Sequence, residues 1–483
     1  MDIFFLSIAG ILILLIAVIA IRTAAFRPRL DVKKTSAVLK GTDDALMQKL
    51  AGIFSEMLQC KTISSTEDFG ESAEFEKFRS RLCEWFPVFH AHCTLERVGT
   101  SGLLYHLPGE CAEKPCVLMA HYDVVPVDET FWEHPAFSGY FDGAEIWGRG
   151  AVDTKVTLCS ALAGAEKLLK AGFTPRNDIY FSFAGDEEVM GPSASAAVVW
   201  MEARGIKPAF VLDEGGAVTE QAFPGVTRPC AFIGTAEKGR LDLSITATGA
   251  AGHASAPPAQ TLLTKLSKAV VRLEKKPFPR QIPPPVKALF NNVGRYSTFV
   301  NRMIFANLWC FTPLLDAMAR KTGGDINALI RTSCALTMAK GSDSINVLPS
   351  SATFSFNLRL IPGDTEESVI SHMRRIIKDD SVEIKALPGY MKASPVSPGC
   401  GEAWELITQI VSSIWPEALV APYLMVACTD SRYFCKICDN VYRFSPIKLS
   451  AQERERVHGH NERISLDVLA DAVLFYEELI SKL

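Results

Sequence analysis

From Ile3 to Ile21 the chain carries no charge and is almost wholly Ile, Leu, Val, Phe and Ala. Nineteen such residues are long enough to span the hydrocarbon of a bilayer as a helix. Residues 31–43 are polar and read as a linker. Leu46, Leu50, Ile53, Phe54, Met57 and Leu58 then recur at helical spacing, which predicts a helix over about 45–60. Three compact apolar runs follow, at residues 116–120 (CVLMA), 179–184 (IYFSFA) and 209–212 (AFVL). Helical stretches lie between them at 157–171 and 193–203. Strands alternating with helices predict an α/β fold: a sheet covered by helices on both faces.

The pattern changes near Gly239. Residues 241–248 (LDLSITAT) and 352–360 (ATFSFNLRL) alternate apolar and polar positions, as half-exposed strands do, and the second run ends at Pro362-Gly363. Between them, 275–285 is rich in Pro and Lys. This stretch reads as an inserted smaller α+β domain. An amphipathic helix is expected from about Asp364, and a return to the first domain near Pro395 to Gly399. The expected organisation is a membrane anchor over 1–30, a main domain over 45–238, an insert over 239–362 and the rest of the main domain over 363–483.

Composition narrows the class. At 483 residues the chain exceeds one ordinary core and suggests two or three folding units. Hydrophobic residues make up 48% and charged residues 22%, a globular balance. The net charge of -4 is not that of a nucleic-acid-binding protein. Thirteen cysteines, an odd number without framework spacing, suit free thiols in a reducing compartment. Cys435 and Cys438 form one C-x-x-C, without the second pair that a closed zinc site needs. The apolar run lacks a basic n-region and exceeds a usual signal-peptide core, which favours an uncleaved anchor over the competing cleaved signal. Arg22, Arg27, Arg29, Lys33 and Lys34 follow it, so the positive-inside rule favours a cytoplasmic body, with an exported body behind a single-span anchor as the alternative.

The chemistry gathers at the predicted strand ends, where open α/β sheets bind ligands. His121 closes CVLMA, and Asp123 stands two residues on, on the same face. That suits a metal-bound imidazole steadied by a carboxylate. Asp153 is the one carboxylate of 148–155 (GRGAVDTK). It could bridge two metals about 3.5–4 Å apart, or simply begin a helix. Asp186, Glu187 and Glu188 follow the second strand. Three adjacent carboxylates repel unless cations compensate, so one glutamate would bind metal while its neighbour accepts a proton. Residues 211–216 (VLDEGG) repeat the theme, and 457–462 (VHGHNE) supply a late histidine.

In this order, these segments resemble the M20 family of metallopeptidases, and within it the branch of vacuolar carboxypeptidase S and the secreted N-fatty-acyl-amino-acid synthase/hydrolase. Residues 118–126 (LMAHYDVVP), 252–258 (GHASAPP), 429–432 (TDSR) and 442–446 (YRFSP) belong to the likeness, which runs from about Leu46 to the C-terminus. The resemblance implies a mixed-sheet zinc-peptidase domain with an inserted lid or dimerisation domain, and two zinc ions. His121 and Asp213 would hold one, Glu188 and His458 the other, and Asp153 would bridge them. Glu187 would be the general base and Asp123 would orient His121. His253, in the insert, would stabilise the oxyanion, in some dimeric relatives from the partner subunit. Asn346 and Arg359 would contact substrate, Arg359 binding its free carboxylate. Two departures stand out. Thr154 replaces a usual aspartate, and 278–322 is long for a lid, like the enlarged lid of this branch.

The implied activity is hydrolysis of a peptide or N-acyl amino acid to release a C-terminal amino acid, in a chain that can form a homodimer. A phenylalanine-rich insert beside an anchor suits a fatty-acyl substrate, and a dipeptide such as glycyl-leucine is the alternative. An aminopeptidase is disfavoured by Arg359 and 429–432. A non-catalytic metallopeptidase-like domain at the membrane would be expected to lose ligands or the base, and this chain keeps them.

Overall fold

A computed structural model of the protein describes residues 2–28 and 44–483. The expected linker over 31–43, with Arg29, Lys33 and Lys34, lies outside the described residues. Asp2–Ala25 (α1) forms one helix. Among the described residues it is the one helix long and apolar enough to cross a membrane.

The main domain is built on an eight-stranded sheet: Thr94–Val98 (β1), Gly102–Leu107 (β2), Cys111–His121 (β3), Asn177–Ala184 (β4), Phe210–Thr219 (β5), Cys230–Glu237 (β6), Leu419–Met425 (β7) and Val441–Leu449 (β8). Their spatial order is β1-β2-β4-β3-β5-β8-β6-β7. The central neighbours β4/β3, β3/β5 and β5/β8 are parallel. Parallel strands need both faces covered, hence their nearly unbroken apolar runs.

The two-residue strand period sorts each run between two cores. Leu118, Ala120, Phe181 and Leu212 join a cluster under helices Lys155–Lys170 and Leu466–Ile480. Val117, Met119, Tyr180 and Val211 join another under helix Ser193–Glu202. Helix Asp44–Leu58 (α2) is tied to helix Lys155–Lys170 (α3) by a buried cation. The Lys155 ammonium donates to the carbonyls of Met57 and Cys60, at 3.0 and 2.9 Å, where a helix C-terminus favours positive charge. Burial pushes this ammonium down to about 8.

The smaller sheet has four antiparallel strands, in the order Ser333–Lys340, Ser351–Leu360, Gly239–Thr248, Val382–Ala386. Helices Leu262–Lys275 and Glu366–Ile377 share its core. This corrects the expected boundary at 362/363: the chain stays with the small sheet through Val382–Ala386. It rejoins the main domain where Ser394 N–H donates to Glu237 O and Ser397 N–H to Thr235 O.

The long segment assigned to the lid packs elsewhere. Helices Pro284–Val293 (α4), Phe299–Ala306 (α5), Leu308–Thr322 (α6) and Gly324–Leu329 (α7) share a core with Phe232, Leu419, Ala421 and Leu424, on the outer strands β6 and β7 of the main sheet. They form a helical layer of the main domain, because their apolar positions match those strands.

This layer is pinned by Arg331, fully buried, which donates to Phe278 O and to Asp316. Arg320 reaches the same carboxylate at 2.8 Å. Burial by itself would raise the Asp316 carboxyl, but Arg331 and Arg320 hold it below its ordinary value. A carboxyl depressed in the folded state stabilises fully above its unfolded value, near about 3.9, and stops doing so as pH falls through the folded value. Asp316→Asn is therefore expected to cost about 2 kcal/mol at pH 7. Denaturation followed from pH 7 to pH 3 should show the difference from wild type shrinking only at the acid end. A difference that is constant with pH would contradict the ion-pair account.

Candidate active site

Most groups of the site arrive at a strand end, on the segment beyond it or, for Glu214, at a bulge within a strand. His121 ends β3 and is buried. Its Nδ1 lies 3.0 Å from Asp123 O and 3.3 Å from Asp123 Oδ1. Asp123 does more than face the imidazole. Its carboxylate accepts from Ser64 Oγ at 2.7 Å and from the N–H groups of Glu187 and Glu188 at 3.2 and 3.0 Å. One buried carboxylate thus fixes the ring of His121 and the short turn that carries both glutamates.

Asp153 stands at the centre. Its Oδ1 lies 3.1 Å from His121 Nε2 and its Oδ2 3.0 Å from His458 Nε2. Each imidazole nitrogen has a second carboxylate beside it: Glu214 Oε1 at 3.3 Å from His121, and Glu188 Oε1 at 3.1 Å from His458. The frame is two imidazole–glutamate pairs sharing one aspartate. The Asp153–Thr154 peptide is cis.

A feature of the frame not anticipated from sequence is Glu462. Fully buried, it accepts from the N–H groups of Gly150, Val152 and Asp153 and from Arg149 Nη1 at 2.7 Å. Arg149 also donates to the carbonyls of His458 and Gly459. The 148–155 loop and the 457–462 segment, more than 300 residues apart, are locked together through this pair, and so are Asp153 and His458.

The structure separates Asp213 from Glu214. The expectation placed Asp213 among the metal ligands at the end of a short strand. β5 instead continues through DEGG to Thr219. Asp213 pairs with Arg443 and Gly216 with Phe444, so Glu214 and Gly215 form a bulge, a device that re-aims a side chain. Gly215 adopts φ 140°, and a Cβ at Gly216 would lie 1.8 Å from Phe232 O. Asp213 turns away, its oxygens accepting from Glu214 N–H and Ser431 N–H, each at 2.9 Å. The carboxylate beside His121 is that of Glu214.

The remaining expected residues divide. Glu187 and Arg359 line the same cavity of about 480 Å³ as Asp153, Glu188 and His458. Arg359 contacts Asn357 and Cys428 and has no ion pair among the described residues. Its cross-strand neighbour Arg240, which sequence reasoning passed over, is neutralised by Asp242 at 2.8 Å. His253 lies in a two-stranded sheet on the insert, paired with Val347, and Asn346 precedes the partner strand; both are exposed and neither lines the cavity. Cys435 and Cys438 pack with apolar neighbours, and all thirteen cysteines are free.

Electrostatics favour bound cations. Burial raises Glu187, Glu188 and Glu214, with Glu214 pushed up to about 8 despite His121 beside it. Asp153 and Glu188 push His458 up to about 10. Burial alone would lower His121, but Glu214, Asp123 and Asp153 raise it well above the ordinary imidazole value. Four crowded carboxylates thus draw positive charge onto two histidines. This oxygen and imidazole donor set fits divalent metal, and two clusters, His121–Glu187–Glu214 and His121–Asp153–Glu188, are compact enough to hold an ion.

Residues 117–482 match peptidase family M20/M25/M40. The chain belongs to that family. This M20 chain is 33% identical over 488 residues to the probable carboxypeptidase S-like 2 of Dictyostelium discoideum, with 98% of this chain and 92% of that protein covered. It is 32% identical over 476 residues to the N-fatty-acyl-amino acid synthase/hydrolase PM20D1 of Xenopus tropicalis, covering 97% and 93%. The fold is similar to that of an M20 family metallo-carboxypeptidase from Sulfolobus solfataricus, with a TM-score of 0.65, 19% identity, and 89% and 98% of the two chains covered. The protein is a hydrolase of the M20 type.

Glu462 touches no reacting group, and its role is positional. Glu462→Gln is expected to weaken metal binding by about 10- to 100-fold, the usual cost of losing such support. Metal titration of the purified variant checks this. Unchanged affinity would show that Glu462 braces the fold alone.

Proposed function

We propose that this M20 chain is a di-zinc amidohydrolase that releases a C-terminal amino acid from an N-acyl amino acid whose acyl group is long and apolar. The observation that carries the reading is the sharing of Asp153 between His121 and His458, each with its own glutamate. His121 and Glu214 would hold one zinc and Glu188 and His458 the other, with the Asp153 carboxylate between them. When bound, the metal would supply Lewis acidity toward the scissile carbonyl and the attacking water.

The chain's own groups do the rest. Glu187 takes the proton from water and delivers it to the leaving nitrogen, and its burial-raised affinity suits both transfers. Asp123 holds its backbone in place. Arg359, with no carboxylate partner among the described residues, binds the carboxylate of the leaving amino acid. The far end of the cavity is apolar, lined by Phe223, Phe232, Leu289, Ile326, Leu329 and Tyr423, which favours a hydrocarbon acyl group over a dipeptide's first residue. His253 completes the site from a second copy. The edge strand Ser333–Lys340, with Leu336 and Met338 exposed, is left uncovered by the helical layer and offers the surface for that copy.

The N-terminal helix is proposed as an uncleaved anchor. Arg22 donates to Ala306 O at 3.2 Å, Asn307 Nδ2 to Thr23 Oγ1 at 3.1 Å, and Phe26 is buried in the core of the helical layer. Cleavage after α1 would discard the Arg22 and Thr23 contacts. Free thiols, with Cys83, Cys334 and Cys400 exposed, favour the cytoplasmic side.

Full-length protein is expected to hydrolyse N-oleoyl-phenylalanine faster than glycyl-leucine, with both activities abolished by EDTA and restored by zinc. Glu187→Gln should lower kcat by at least about 100-fold with metal still bound. Faster dipeptide cleavage would overturn the acyl assignment, and an active Glu187→Gln would overturn the base.

A further inference from the structure

The contacts of α1 with the helical layer set a depth scale. α1 runs antiparallel to α5. Arg27 O accepts from Arg295 before α5, Arg22 reaches Ala306 at the end of α5, and Asn307 Nδ2 lies 3.4 Å from Ile19 O and 3.1 Å from Thr23 Oγ1. Arg22 is the first charge after the apolar run. Ile19 lies three residues inside it, about 4.5 Å further along the helix. The corner where α5 gives way to α6 therefore sits at or below the level at which charge first meets the apolar segment.

The residues that follow this corner have the character such a level demands. Trp309, Leu314 and Met318 are 55, 47 and 47% exposed. With the exposed Pro313 and Ala317 they make a broad apolar stripe over the outward half of α6, Trp309 and Met318 bordering it on either side, about 180° apart around the helix. Leu315 and Ala319 hold the inward half to the core. The stripe ends at Arg320 and Lys321, both exposed, and Arg22 and Arg27 stand exposed at the end of α1. An apolar stripe with a tryptophan near one end and flanking cations is the pattern of a helix lying in a membrane interface.

We propose that α6 is a second membrane-contacting element, embedded by Trp309, Leu314 and Met318 in the same leaflet that α1 enters, and docked against a lipid bilayer rather than a protein. This rests on the reading of α1 as a retained anchor. It fixes the catalytic body against the membrane at a second point. It also sets the apolar end of the cavity on the lipid-facing layer, since Leu289 belongs to α4 and Ile326 and Leu329 to α7.

The test uses the full chain in nanodiscs of phosphatidylcholine and phosphatidylserine containing a phospholipid with a photoreactive diazirine in its acyl chain. After irradiation, labelled peptides are mapped by mass spectrometry. The proposal predicts adducts on α1 and on the segment from Asn307 to Met318. In the triple variant Trp309→Ser, Leu314→Ser, Met318→Ser, labelling of that segment should fall to background while α1 labelling and glycyl-leucine cleavage are unchanged. Label on α1 without label on α6 in the wild type would overturn the proposal and leave the anchor intact. No label on either would overturn the anchor reading and the proposal with it. Crosslinks joining α6 of two copies, in place of lipid adducts, would assign the stripe to self-association and overturn it as well.

Discussion

One carboxylate is shared by two imidazoles, and the architecture around the site keeps it so. Asp153 presents one oxygen to His121 and the other to His458. Those histidines are 337 residues apart in a chain of 483. Neither charge nor propensity alone would keep three such groups in register. Glu462 and Arg149 do so by binding the N–H groups of Gly150, Val152 and Asp153 and the carbonyls of His458 and Gly459. A buried ion pair of this kind gains little net stability, because desolvation offsets much of its attraction. Its value here is geometric, since it fixes two distant segments by several directed hydrogen bonds at once.

The sheet supplies the remaining precision. Parallel strands deliver His121, the Glu187–Glu188 turn and Glu214 to one edge of the sheet, and Asp123 ties the first two together. Burial then does chemical work. It raises the carboxylates at the cavity while Asp153, between two imidazoles, is held low. Groups of one chemical type thereby differ in proton affinity, higher at Glu187, Glu188 and Glu214 and lower at Asp153.

Much of this was legible in the chain itself, because strands with a continuous apolar run and carboxylates at their ends leave a strong local signal. His121, Asp123, Asp153, Glu187, Glu188, His458 and Arg359 were all singled out from sequence, and the structure gathers them around one cavity or directly behind it. What was not legible depends on distant partners. Asp213 and Glu214 are equivalent in sequence, and a bulge defined by the register of β8 chooses between them. Glu462 looked like the tail of a histidine motif until its donors, 309 to 313 residues away, were placed. The insert's helices carry an apolar pattern that fits any partner, and only the outer strands β6 and β7 showed which one they cover. His253 sits exposed on a short two-stranded sheet, away from the cavity.

The central claim is a binuclear centre in which Glu214, and not Asp213, completes the first site. Anomalous diffraction at the zinc edge from crystals of the zinc-loaded protein tests it most directly. The account predicts two peaks flanking the Asp153 carboxylate, one beside His121 and Glu214 and the other beside His458 and Glu188. A single peak, or a zinc ligated by Asp213 with Glu214 turned away, would contradict it.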